Sequence, residues 1–132
     1  MRDVERMASM ARRLLPVALS VCCTVAIAAK PVAPKPLADG DYTFAHRFAE
    51  QPSMPSVSMH VRIRKGHIVV TNESVSSAFE KGVVDEGLLL WHPATQQWII
   101  GDTPADAKAP EVGGCSGGPE VIDLAKRIYW TC

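Results

Sequence analysis

Val57-Ser58-Met59-His60-Val61-Arg62-Ile63-Arg64-Lys65-Gly66-His67-Ile68-Val69-Val70-Thr71-Asn72 is the stretch whose pattern decides the fold. Val57, Met59, Val61 and Ile63 alternate with polar residues, the period of a strand with one covered face. Lys65-Gly66 then interrupts the pattern, and a two-residue connection containing glycine marks a hairpin. In that register Arg64 faces His67, Ile63 faces Ile68 and Val61 faces Val70. The apolar side chains meet on one face, the condition a stable hairpin has to satisfy.

The same grammar extends in both directions. Asp39-Gly40-Asp41 reads as a turn, and Tyr42 to Phe48 alternates behind it as a first strand. Gly87-Leu88-Leu89-Leu90-Trp91 and Gln97-Trp98-Ile99-Ile100 form a second hairpin around His92 to Gln96, with Trp91 opposite Trp98. Leu88 to Leu90 is apolar on both faces, so this strand is expected to be covered on both sides. Asp102 to Gly114, with Pro104 and Pro110, reads as a long surface loop. Asn72 to Lys81 is less regular, with Ser74 placed to cap a short helical turn ending at Gly82. Residues 119–127 read two ways: as a helix opened by Pro119-Glu120 and closed by Lys126-Arg127, or as a strand, Val121 to Leu124, before a turn at Ala125-Lys126. The strand pattern is slightly the better fit, and Ile128 to Cys132 reads as a strand. The expected fold is mainly β: a small antiparallel sandwich or barrel of about six strands built from hairpins, with room for one short C-terminal helix.

The N-terminal residues read as an address. Arg12-Arg13 precede an uncharged run, Leu14 to Ala29, and Ala26-Ile27-Ala28 supplies a small-x-small cleavage pattern. Residues 1–28 are therefore expected to be a signal peptide, 29–38 a proline-rich flexible N-terminus and 39–132 one β domain. The Asp3 and Glu5 before the run fit a signal poorly, so Met7 or Met10 is an alternative start. Cys22 and Cys23 are lost with the leader, unless Leu19-Ser20-Val21-Cys22 serves as a lipidation box. The expected location is periplasmic or extracellular, with an outer-membrane lipoprotein as the minor alternative.

Outside the leader only Cys115 and Cys132 remain, and a lone pair in an exported chain reads as a disulfide. It would return the last residue to the Gly113-Gly114 loop and contribute about 3 kcal/mol by the chain-entropy argument.

Composition and motifs exclude more chemistry than they suggest. The formal net charge is +0, whereas a nucleic-acid binder needs a basic excess. Gly114-Cys115-Ser116-Gly117-Gly118-Pro119 resembles part of the nucleophile loop of trypsin-like serine proteases. The acidic residue that this family carries before the serine is here Cys115, and no partner histidine motif exists. The loop reads instead as a glycine-rich turn presenting Cys115. His60 and His67 would stand roughly 13 Å apart on the hairpin, too far to share an ion, so neither a metal nor a cofactor is expected. Asp85-Glu86 would point to opposite faces of a strand and read as surface acids. Asn72-Glu73-Ser74 is formally a glycosylation sequon.

Two candidate binding surfaces remain. His60, Arg62, Arg64 and His67, with Lys65, make a small basic face, read first as the solvated side of a hairpin and second as a receptor for an acidic surface. Trp91 and Trp98 read first as core and second as anchors for a partner or ligand. The expected role is that of an exported, non-enzymatic binding protein whose partner is another exported protein, for example a hydrolase that attacks the cell envelope and that it inhibits. Its loops at 102–114 and 51–55 would present contacts. The rival expectations are a carrier of a small apolar ligand in a barrel cavity and a lipid-tethered structural protein of the envelope.

Overall fold

The computed structural model of the chain describes residues 25–75 and 79–132. Most of the expected leader, with Cys22 and Cys23, and the centre of the turn expected after Ser74 lie outside the described residues. Seven strands follow in chain order: β1 (Gly40–Phe48), β2 (Ser58–Arg64), β3 (His67–Asn72), β4 (Gly82–His92), β5 (Gln97–Gly101), β6 (Glu120–Asp123) and β7 (Ile128–Thr131). Each pairs with the next, and β7 returns to β1 to close a barrel.

The expected hairpins form in the expected registers. Arg64 pairs with His67, Ile63 with Ile68 and Val61 with Val70. Lys65 and Gly66 both take positive φ, 48° and 77°, as the twist of a two-residue turn demands. Trp91 pairs with Trp98. The next turn repeats the design of this hairpin's loop: four residues link the paired ends, and the fourth, Gln96 in one and Arg127 in the other, is left-handed.

No helix forms between Pro119 and Arg127. Val121 and Ile122 are both buried, which imitates a helical stripe, but they lie on opposite faces of β6. Ile122 points into the barrel core, whereas Val121 lies beneath the loop that follows β5, with Gly113 packed against its side chain. That loop contains a 3-10 turn, Pro104–Lys108, resting on β4 and β5. The Asp106 carboxylate accepts the backbone N–H groups of Asp102 and Thr103, at 2.7 and 3.0 Å. Leu88 to Leu90 is covered on both sides for the same reason: barrel core within, loop without.

The core comprises Phe44, Met59, Val61, Ile63, Ile68, Val70, Leu89, Ile100, Ile122, Leu124 and Tyr129. These side chains fill the barrel, as interior positions do in small barrels. The closing pair is parallel, Ala45 with Ile128 through Phe48 with Thr131. This departs from an all-hairpin sheet for a simple reason. With an odd number of strands in an up-and-down order, the first and last run the same way. The disulfide Cys115–Cys132 forms, with Cα atoms 4.7 Å apart, and pins the end of β7 to the long loop.

Candidate functional site

The basic face of the first hairpin is less basic than its sequence. β1 lies beside β2 with Asp41 opposite Arg62. The Asp41 carboxylate accepts from Arg62 Nε at 2.8 Å and from Arg64 Nη2 at 2.9 Å, and His60 Nε2 lies 3.1 Å away. The two guanidinium groups hold the Asp41 carboxyl down at about 2. Three of the four singled-out residues thus converge on one acid. His67, at the start of β3, stays exposed.

The tryptophans come together more tightly. Trp91 and Trp98 pack edge to face with ring centres 5.5 Å apart, and Trp98 also packs on the core. Trp130, from β7, joins them across β6. All three tryptophans of the chain line one pocket of about 180 Å³ at the barrel rim, together with Pro34, Gln97 and Ile122. The indole Nε1 of Trp91 is buried and, among the described residues, has no hydrogen-bond acceptor. A buried N–H left in this state is a standing demand for a carbonyl or carboxylate oxygen. Sequence reasoning found Trp91 and Trp98 but not their junction with Trp130. The junction follows from the sheet order β4–β5–β6–β7, which the long loop between β5 and β6 and the ambiguous reading of β6 hid.

The opposite end of the barrel is polar and acidic, which the sequence reading missed. Asp85 pairs with Val70, so it shares the inward face instead of lying at the surface. Tyr129 donates its hydroxyl to Asp85 at 3.1 Å. Glu120 pairs with Ile100 and also faces inward; one of its carboxylate oxygens is buried without a partner. Burial, reinforced by the Asp85 charge, pushes the Glu120 carboxyl up to about 7. Burial also raises Asp85 and Tyr129. A cavity of about 430 Å³ opens here, lined by Asp85, Asp102, Asp106, Glu120 and the Gly117-Gly118 turn.

Two buried histidines are structural. His46 bonds through its two ring nitrogens to Ser56 Oγ and, at 2.8 Å, to Thr131 Oγ1, so it bridges the closing strands. The rings of Phe48 and Phe79 lie edge-on to it at 4.6 Å. Burial, with the Arg47 charge, lowers its pKa and keeps it neutral. His92 donates from Nε2 to the carbonyl of Ala109 at 2.8 Å and accepts from Thr95 Oγ1 at Nδ1, which fastens the long loop to β4. Asn72 of the sequon is buried too; its amide donates to the carbonyls of Ser74, Phe79 and Glu80. Carrying a glycan there would require dismantling this corner.

Among the described residues no three histidine, cysteine or acidic side chains are grouped to hold a metal ion. Ser116, in the loop that resembles a protease nucleophile turn, spends its hydroxyl on the Gly113 carbonyl at 2.8 Å. Compared with protein-family models, with curated proteins and with solved structures, the chain has no significant match.

Proposed function

We propose that this chain is an exported, non-enzymatic recognition protein that grips a partner protein through the tryptophan rim. The single observation behind this reading is the convergence of Trp91, Trp98 and Trp130 on one small rim pocket. Tryptophans in a pocket of this kind supply large rigid area at little entropic cost and dominate binding energy where they occur. A barrel filled by its own side chains favours surface recognition over carriage of an apolar ligand inside. The disulfide is consistent with an oxidising, exported environment. The partner class that fits is another protein of the periplasm or the exterior, an envelope-attacking hydrolase among them.

The test is retention of exported proteins on the immobilised chain, followed by calorimetry with the purified partner. Trp91→Ala removes a rim anchor and should weaken binding about thirtyfold, the effect of a 2 kcal/mol hot spot. Gln97→Arg changes only an exposed rim residue and should weaken binding without touching the fold. Arg62→Ala, away from the rim, should bind as the parent does. Unchanged affinity in both rim variants, or intrinsic hydrolytic turnover by the chain itself, would overturn the reading.

A further inference from the structure

Residues 34–37 precede the barrel yet lie against its tryptophan end. Leu37 is half-buried and packs on the core, while Pro34, Lys35 and Pro36 are exposed. Three cavities flank this strap, and Trp98 walls all of them. One, of about 180 Å³, sets Pro34 against Trp91, Trp98 and Trp130. Another, of about 140 Å³, sets Pro34, Lys35 and Leu37 against Trp98 and Leu124. The third, of about 210 Å³, sets Pro36 and Leu37 against Ile63, Leu89 and Trp98.

Among the described residues, no hydrogen bond ties the backbone of 34–37 to the barrel. The first such ties come later: Tyr42 Oη donates to the Ala38 carbonyl at 2.6 Å, and Lys65 N–H donates to the Asp39 carboxylate at 3.0 Å. The strap is therefore held through the apolar packing of Leu37 on the core, and cavities remain between it and the barrel. An extended proline-containing segment laid over aromatic rings is the arrangement by which proline-rich peptides are recognised, because such a segment is already stiff and loses little entropy on docking.

We propose that the tryptophan end of the barrel is a docking groove for an extended proline-rich segment of a partner protein, patterned as proline, basic residue, proline, leucine, and that Pro34-Lys35-Pro36-Leu37 occupies it in cis until displaced. The proposal rests on the rim being the recognition surface and names the chemistry of what it recognises. The strap itself shows the occupant's shape. Asp123 lines the first of these cavities and Asp39 the third, which puts negative charge on both sides of the groove and favours a basic residue between the prolines. A tethered segment competes at millimolar effective concentration, so the strap also sets a threshold that a partner segment must exceed.

The experiment is fluorescence anisotropy with a labelled synthetic peptide of residues 29–38, titrated with the disulfide-bonded exported chain. Two variants loosen the strap: Leu37→Ser, and the double change Pro34→Ala with Pro36→Ala, which alters exposed positions only and leaves the core intact if the first fails to fold. Both are expected to bind the peptide about tenfold more tightly than the parent, with a shift in tryptophan emission. A control peptide with its prolines and leucine replaced by alanine is expected not to bind. Absence of saturable binding to the double variant, or equal binding of the control peptide, would overturn the proposal. So would a strap-exchanged dimer that the peptide cannot dissociate, since the occupant would then be a second copy. Should the peptide fail while partner retention still depends on Gln97, the rim reading stands and only the proline-segment assignment falls.

Discussion

Two carboxylates, Asp41 on β1 and Glu120 on β6, show how differently an acid can behave at two ends of a barrel. Asp41 lies in the open between guanidinium groups and is held at about 2. Its contribution to stability is present above the usual aspartate value, near 3.8, and is lost as pH falls towards 2. Asp41→Asn should therefore lower the unfolding midpoint at neutral pH and flatten its acid limb, with the variant and the parent converging as pH falls to about 2. Glu120 is the reverse case. Its folded value of about 7 exceeds its usual 4.5, so the folded state holds the proton more tightly. The associated stability is full below 4.5 and is lost as pH rises through 7. Glu120→Gln should be more stable than the parent at pH 8 by on the order of 1 kcal/mol, a figure discounted because the carboxyl is half-open to water. The two should converge near pH 4. Denaturant titrations at both pH values read this directly, and a variant that is weaker at pH 8 would contradict it.

At the scale of the element, a strand with one covered face was legible to its register, whereas β6, covered on both faces, read only slightly better as strand than as helix. The β2–β3 hairpin could be read to its register because polar and apolar residues alternate strictly and only one turn geometry satisfies Lys65-Gly66. In β6 the adjacent buried pair Val121 and Ile122 erased the alternation, since the loop from 102 to 119 covers the outer face. A helix and a doubly covered strand are then indistinguishable by period. Asp85 was misread for a related reason: β4 begins at Gly82, earlier than its leucine run suggests, and its register shifts between Val70 and Thr71 of β3. Gly87 marks the crowded middle of this strand. A Cβ there would overlap the Gly101 carbonyl oxygen on β5. Backbone cannot yield as a flexible side chain can, so Gly87→Ala should cost about 2 kcal/mol or more. A thermal midpoint within a degree or two of the parent's would show that β4 and β5 can separate at no cost.

At the scale of the molecule, the class of fold was legible but the site was not. Hairpins and a lone cysteine pair indicate a small β structure. The meeting of Trp130 with Trp91 and Trp98 depends on β6 lying between β5 and β7, a pairing across the 102–119 loop that leaves no local signature. The disulfide is part of the same assembly, because it spans a separation of 17 residues from the long loop to the end of β7. Reducing it should lower stability by about 3 kcal/mol on the chain-entropy account. The loss should appear as a lower denaturant midpoint in reductant, matched by Cys115→Ser with Cys132→Ser; an unmoved midpoint would mean that hydrogen bonds such as His46 to Thr131 already hold the seam.

The parallel seam between β1 and β7 gives the molecule a direction. A chain that enters at Gly40 and leaves after Thr131 on strands running the same way has its two ends at opposite poles. Whatever is joined ahead of the barrel, natural or engineered, emerges beside the tryptophans, and whatever is joined behind it emerges past the disulfide at the far end of β7. Immobilised by a tag at the front, the protein would offer its far pole to solution and crowd its aromatic one; a tag at the rear reverses the presentation. A binding assay thus samples one pole or the other according to which end is attached.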